Sequence, residues 1–120
     1  MVAGKKEIDM LNESGMIAFE QSVRDSLEER RAAIGMSEQA LGKLAFPFVA
    51  DSRRKVQSIR KGQGSGENRK PQNLRLADVM NLCVALGLSW DKVIKKAQQD
   101  AEEAQQAEYE KMRSILDAQK

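Results

Sequence analysis

Seven basic side chains crowd into residues 51–70 (Arg53, Arg54, Lys55, Arg60, Lys61, Arg69 and Lys70) against only Asp51 and Glu67, a local balance of +5. Guanidinium and ammonium groups massed in this way suit one kind of chemistry, the binding of a polyanion, because each is a strong donor to phosphate-type oxygens. The flanks are different. Residues 1–35 carry a balance of −2, residues 36–50 of zero, residues 71–97 of +2 and residues 98–120 of −3, so the whole-chain charge of +2 conceals a basic middle between acidic ends.

Other chemistry is scarce. The 120 residues include no histidine and a single cysteine, Cys83. That composition excludes an imidazole base, a Ser/His/Asp or Cys/His arrangement, an internal disulfide and a thiolate metal cluster. No catalytic residue, no metal and no cofactor are therefore expected, and an enzyme has nothing to support it. Gly62, Gly64 and Gly66 are spaced like a phosphate-binding loop, but no strand precedes them and no Lys-Ser/Thr pair follows.

The elements that would carry the basic cluster read as helices. Ala, Leu, Gln, Glu, Lys, Arg and Met dominate, and no stretch alternates apolar and polar residues. The hydrophobic share is 41% and the charged share 32%, the signature of solvated helices around a thin core. No apolar run approaches the roughly 18 residues of a membrane span and no signal peptide is visible, so the expected location is the cytoplasm, with no membrane partner.

Residues 1–15 read as an N-terminal arm, with Ile8, Met10 and Leu11 as docking residues. A first amphipathic helix spans about Ile17 to Ile34, with Phe19, Val23 and Leu27 on its buried face and Gly35 as its stop. Its other face, with Arg24, Asp25, Glu28, Glu29, Arg30 and Arg31, reads as a solvated surface. Ser37 caps a second helix, with Met36 and Leu41 as a hydrophobic staple. Pro47 bends the chain at Phe46.

Asp51 or Ser52 caps a third helix ending before Gly62, on which Val56 and Ile59 alone are apolar. Its first turn carries Arg53, Arg54 and Lys55, each unfavourable to the helix dipole by about 0.3–1 kcal/mol when exposed, a penalty that a polyanion would relieve. After a polar loop over residues 63–73, Asn73 caps a fourth helix to Leu86 that is apolar on nearly every side, as expected of a central element. Ser89 caps a fifth. The expected core comprises Leu41, Val56, Ile59, Leu76, Val79, Cys83, Leu86, Trp90 and Val93. Beyond Lys96 the composition stays helical, and a thin stripe of Ala97, Ala101, Ala104, Met112, Ile115 and Leu116 suits either a solvent-facing extension or an oligomerisation helix.

Three stretches together resemble the phage-repressor-type helix-turn-helix family, the lambda-repressor-like or XRE class. They are Gly35-Met36-Ser37-Glu38-Gln39-Ala40-Leu41-Gly42, then Val56-Gln57-Ser58-Ile59-Arg60-Lys61-Gly62, then Leu76 to Ile94 with its Ala-Leu-Gly-Leu-Ser hinge. The resemblance covers about Ile17 to Lys96 and implies an all-α, five-helix bundle with an extended C-terminal helix. In that scheme residues 1–15 are the arm, 16–96 the helix-turn-helix DNA-binding domain and 97–120 a charged helical extension.

It further implies a sequence-specific transcriptional regulator of phage or mobile-element type, a homodimer on double-stranded DNA whose third helix, about residues 52–61, reads the major groove. The base-reading positions fall on Arg53, Arg54, Lys55 and Ser58, with Gln57 beside them. Gln39, Arg60, Lys61, Arg69 and Lys70 are placed for phosphates, which set register and affinity but not sequence. Glu38 stands where an acid would repel phosphate, which makes Gln39 the better backbone clamp. The turn between Ala45 and Arg53 is several residues longer than the family's. The alternative function is a protein-interaction or antitoxin-like adaptor that uses the bundle and its acidic C-terminal helix.

Overall fold

The computed structural model describes residues 10–61 and 74–119. It is all-α, with α1 (Glu13–Ala33), α2 (Glu38–Ala45), α3 (Ser52–Lys61), α4 (Leu76–Leu86) and α5 (Trp90–Ala118), and no strand occurs among the described residues. The arm up to Asp9 with Ile8, the glycine-spaced loop and the Asn73 cap lie outside the described residues, as do Arg69 and Lys70.

Several helix ends form as their residues dictate. The Ser37 hydroxyl accepts from the Ala40 amide at 3.0 Å, and the Ser89 hydroxyl from the Lys92 amide at 3.4 Å. Gly35 and Gly87 both take φ of +68°, the left-handed geometry that ends a helix and that a side chain would strain. Pro47 does end α2, at Ala45.

At its N-terminus α1 starts four residues before the expected Ile17. The Asn12 side chain accepts from the Gly15 amide at 2.8 Å, a cap inside what reads as an arm. Tertiary contact fixes this first turn: the Asn12 amide donates to Gln105 Oε1 at 2.8 Å, and the Ser14 hydroxyl donates to the Glu108 carboxylate. Met10 stands 93% exposed and does not dock.

The two longest helices, α1 and α5, run antiparallel. Ser22 donates to Asp100 at 2.6 Å midway along the pair, and Ala97 and Ala101 of α5 are fully buried because their small side chains let α1 approach closely. Helix α5 crosses residue 97, the expected start of the extension, without a break. On the other side of the bundle, α2 and α3 meet at Gly42, where an added Cβ would lie 2.7 Å from the Ser52 backbone. Phe46 is completely buried between these layers and fills the longer turn that follows α2.

Two expectations are corrected. Leu76 is not core: α4 packs its Val79, Leu82, Cys83 and Leu86 face on the bundle and turns Leu76, Met80 and Val84 outward, because the neighbouring helices cover one side only. The charged face of α1 is not merely solvated. Arg24, 6% exposed, donates from Nε to the Ile59 carbonyl at 3.1 Å. Arg30 Nε donates to the Leu86 carbonyl at 2.9 Å, and Arg31 Nη1 to the Met36 carbonyl at 2.7 Å. Ile59 and Leu86 lie in the last turns of their helices, where carbonyls have no intrahelical partner and a cation also complements the dipole, whereas Met36 lies in the connection before α2.

Arg24→Met should therefore lower stability by about 1.5–3 kcal/mol, since it leaves a buried carbonyl without its charged donor. Exposed Glu29→Gln on the same helix should stay within about 0.5 kcal/mol, and denaturant unfolding of the two variants checks the contrast.

Candidate nucleic-acid interface

Five of the seven clustered basic residues, Arg53, Arg54, Lys55, Arg60 and Lys61, lie on α3, and the geometry of that helix divides them. Ser52, Val56 and Ile59 recur at helical spacing and are buried against the bundle. Arg54 and Lys61 project from the opposite side with Ser58 near them, and Arg53 is exposed on the flank that also carries Arg60. Asp51 caps the helix, its Oδ1 accepting from the Arg54 amide at 3.2 Å. No acidic residue follows in the first turn, so within the cap and first turn Asp51 alone offsets the positive end of the helix dipole over which Arg53 and Arg54 stand.

The remaining basic residues of α3 turn sideways to neighbouring helices. Lys55 reaches Asp78 of α4 at 3.3 Å, and its ammonium sits 4.6 Å from the centroid of the Phe46 ring. Arg60 leans the other way, its Nε 2.6 Å from the Glu38 carboxylate at the start of α2. Gln57 also points to Glu38, at 3.4 Å. Of the expected base-reading residues, Arg53, Arg54 and Ser58 are exposed, Arg54 and Ser58 toward the outward side and Arg53 on the Arg60 flank, while Lys55 and Gln57 are half-buried in interhelical contacts. Of the expected phosphate residues, Gln39 is exposed in the first turn of α2 and Lys61 at the end of α3, whereas Arg60 is ion-paired.

Glu38 takes a role that its residue type alone did not indicate. Placed next to Gln39, it would repel phosphate if it faced solvent; its carboxylate instead bridges α2 to α3. The Arg60 hydrogen bond, with help from Gln57, holds the Glu38 carboxyl below its ordinary value of 4.5, outweighing burial, which acts in the opposite direction. Asp78 does the corresponding work on the other flank, fixing Lys55.

Arg75 is a further basic residue in reach of the interface. It is exposed at the N-cap of α4 and lines a groove of about 230 Å³ with Lys55, Ser58 and Leu74. Its signal in the sequence was a lone charge before an apolar helix, outside the +5 block, and only the packing of α4 against α3 sets it beside Ser58. Among the described residues no group of three or more acidic, cysteine or histidine side chains is placed to hold a metal ion.

The Glu38 bridge has a pH consequence. A carboxyl whose folded value is depressed stabilises the fold fully above its unfolded value, and that contribution disappears as pH falls through the folded value. Unfolding free energy should drop as pH falls through and below the ordinary carboxyl range, and Glu38→Gln should flatten part of that drop. Asp100, held low first by the Ser22 hydroxyl and then by Lys96, contributes in the same direction and is untouched by that substitution. Denaturant titrations of both proteins across this range measure the difference; identical slopes would exclude the bridge.

No protein-family model, curated protein or solved structure matches this chain.

Proposed function

We propose that this protein is a sequence-specific double-stranded-DNA-binding regulator of transcription, of phage or mobile-element type, with a helix-turn-helix built from α2 and α3. It acts as a homodimer on two-fold sites with half-sites about one helical turn apart. One observation carries the reading. Lys55 and Arg60 on the flanks of α3 are paired with Asp78 and Glu38, while Arg54 and Lys61 are exposed on its outward side and Arg53 is exposed at the first turn on the Arg60 flank. A helix locked at both flanks presents its outward side chains in a defined orientation, which reading base edges requires and non-specific charge does not.

In this reading Arg53 and Arg54 pair with guanine edges, with Ser58 beside them, and Gln39, Lys61 and Arg75 hold phosphates. The flank positions of Lys55 and Arg60 set the angle of α3 rather than contact bases. A second reading, a partner-binding adaptor, is favoured by the far end of α5, where Tyr109, Met112, Ile115 and Leu116 are exposed in a segment of acidic balance.

Selection from random duplexes tests the DNA reading. One enriched motif is expected, with log K falling against log salt by about 0.9 per phosphate contacted. Arg54→Ala should cost about 1–3 kcal/mol and relax the preference at one base pair. Lys61→Ala should weaken all sequences alike and reduce the salt slope by about 0.9. A flat salt response, or binding unaltered in the Arg53→Ala, Arg54→Ala double variant, would overturn the assignment in favour of the adaptor.

A further inference from the structure

Helix α4 has an unusual composition for its position. Leu76, Met80 and Val84 recur every fourth residue on its outward side and are 73%, 43% and 76% exposed, and beside them Leu44 and Phe48 are 60% and 75% exposed. Leu44, Pro47, Phe48, Asn81 and Val84 line a groove of about 540 Å³ between α2, the turn after it and α4. Leu44, Phe48 and Val84 border this one groove, and Met80 and Leu76 continue the row along α4. Single exposed apolar residues are ordinary on a protein surface, but a run of five large ones is not. At these exposures the patch is on the order of 500 Å², near the upper end for a monomer.

We propose that this face of α4, with Leu44 and Phe48, is the surface through which two copies of the chain pair about a two-fold axis. The proposal names the contact surface of the homodimer in the DNA reading and rests on that reading for its purpose, but it is tested without DNA.

Charge and area both point to a second copy as the occupant. In a two-fold contact each surface meets itself, so any net charge on it faces its own sign. The outward positions of α4, namely Leu76, Ala77, Met80, Asn81 and Val84, include no charged residue, and Asp78 is turned away to Lys55. The nearest cations, Lys43 and Arg75, are sequence neighbours of Leu44 and Leu76 and lie outside the row itself. Two such patches face to face would bury about 1,000 Å², the area at which a specific interface becomes tenable. The exposed row at the end of α5 is less suited to self-pairing, since Glu108, Glu110, Lys111, Arg113 and Asp117 crowd the same three turns.

Sedimentation of the full chain over a range of concentrations, without DNA, tests the surface. A reversible monomer–dimer equilibrium is expected, weakened at least about tenfold by Val84→Glu and likewise by Phe48→Asp on a different element, while Ile115→Glu at the end of α5 leaves it within about threefold. Both substituted side chains are mostly exposed, and unchanged helicity, with an unchanged melting temperature at dilutions where every form is monomeric, shows that each variant is folded. A chain that is monomeric throughout, a dimer indifferent to both substitutions, or a dimer lost in Ile115→Glu would overturn the proposal. A dimer that behaves as expected but binds no DNA would overturn the DNA reading alone.

Discussion

Short helices leave a large fraction of their backbone unsatisfied, and this bundle is organised around answering that need. With only 8, 10 and 11 residues, α2, α3 and α4 each end in carbonyls that no following turn can reach. A side chain from another element meets each end: Asn81 donates to Ala45, Arg24 to Ile59 and Arg30 to Leu86. Two of these donors are arginines on α1, so the longest straight face of the bundle beside α5 doubles as a rack of cations at helix C-termini. The Arg24 contact matters most for the candidate interface. By fixing the last turn of α3 against α1, it determines which way the first turn of α3, with Arg53 and Arg54, can face.

The same economy governs charge on α3. Seven of its ten residues are polar or basic besides the buried Ser52, Val56 and Ile59, and a helix with so thin an apolar stripe has little hydrophobic torque to hold its rotation. The ion pairs on its two flanks supply the missing constraint. Lys55 is tied to α4 through Asp78, Arg60 to α2 through Glu38, and the first-turn arginines stay uncommitted to either neighbour. Ion pairs near the surface contribute little stability individually, on the order of 0–1 kcal/mol, so the value of these partly buried pairs is orientation more than energy.

Much of the architecture was legible in local patterns. Ser37, Ser89, Gly35 and Gly87 mark their helix ends because capping involves residues three or four apart, which any reader of the chain can see. The buried row of α3 and the packing role of Cys83 and Val79 followed from periodicity in the same way. The contacts that were not legible all link residues far apart in the chain. Arg24 resembles its solvated neighbours Asp25 and Glu28 until Ile59 arrives 35 residues later, and Leu76 resembles Val79 until the number of covering helices is known. Glu38, read as an acid that would repel phosphate, depends on Arg60 for its actual role.

The amino-acid sequence by itself determined that the described chain is helical, where most of those helices begin and end, and that the basic residues concentrate in the middle segment, because propensity, capping and charge are properties of neighbouring residues. Tertiary structure decided how that charge is divided. A flank and an outward face of α3 differ only by what packs beside them, so the selection of Lys55 and Arg60 as the paired cations required α2 and α4 to be in place. It also decided that α4, apolar on nearly every side, would keep one side uncovered, since burial depends on how many neighbours the fold supplies and not on how many a helix could use.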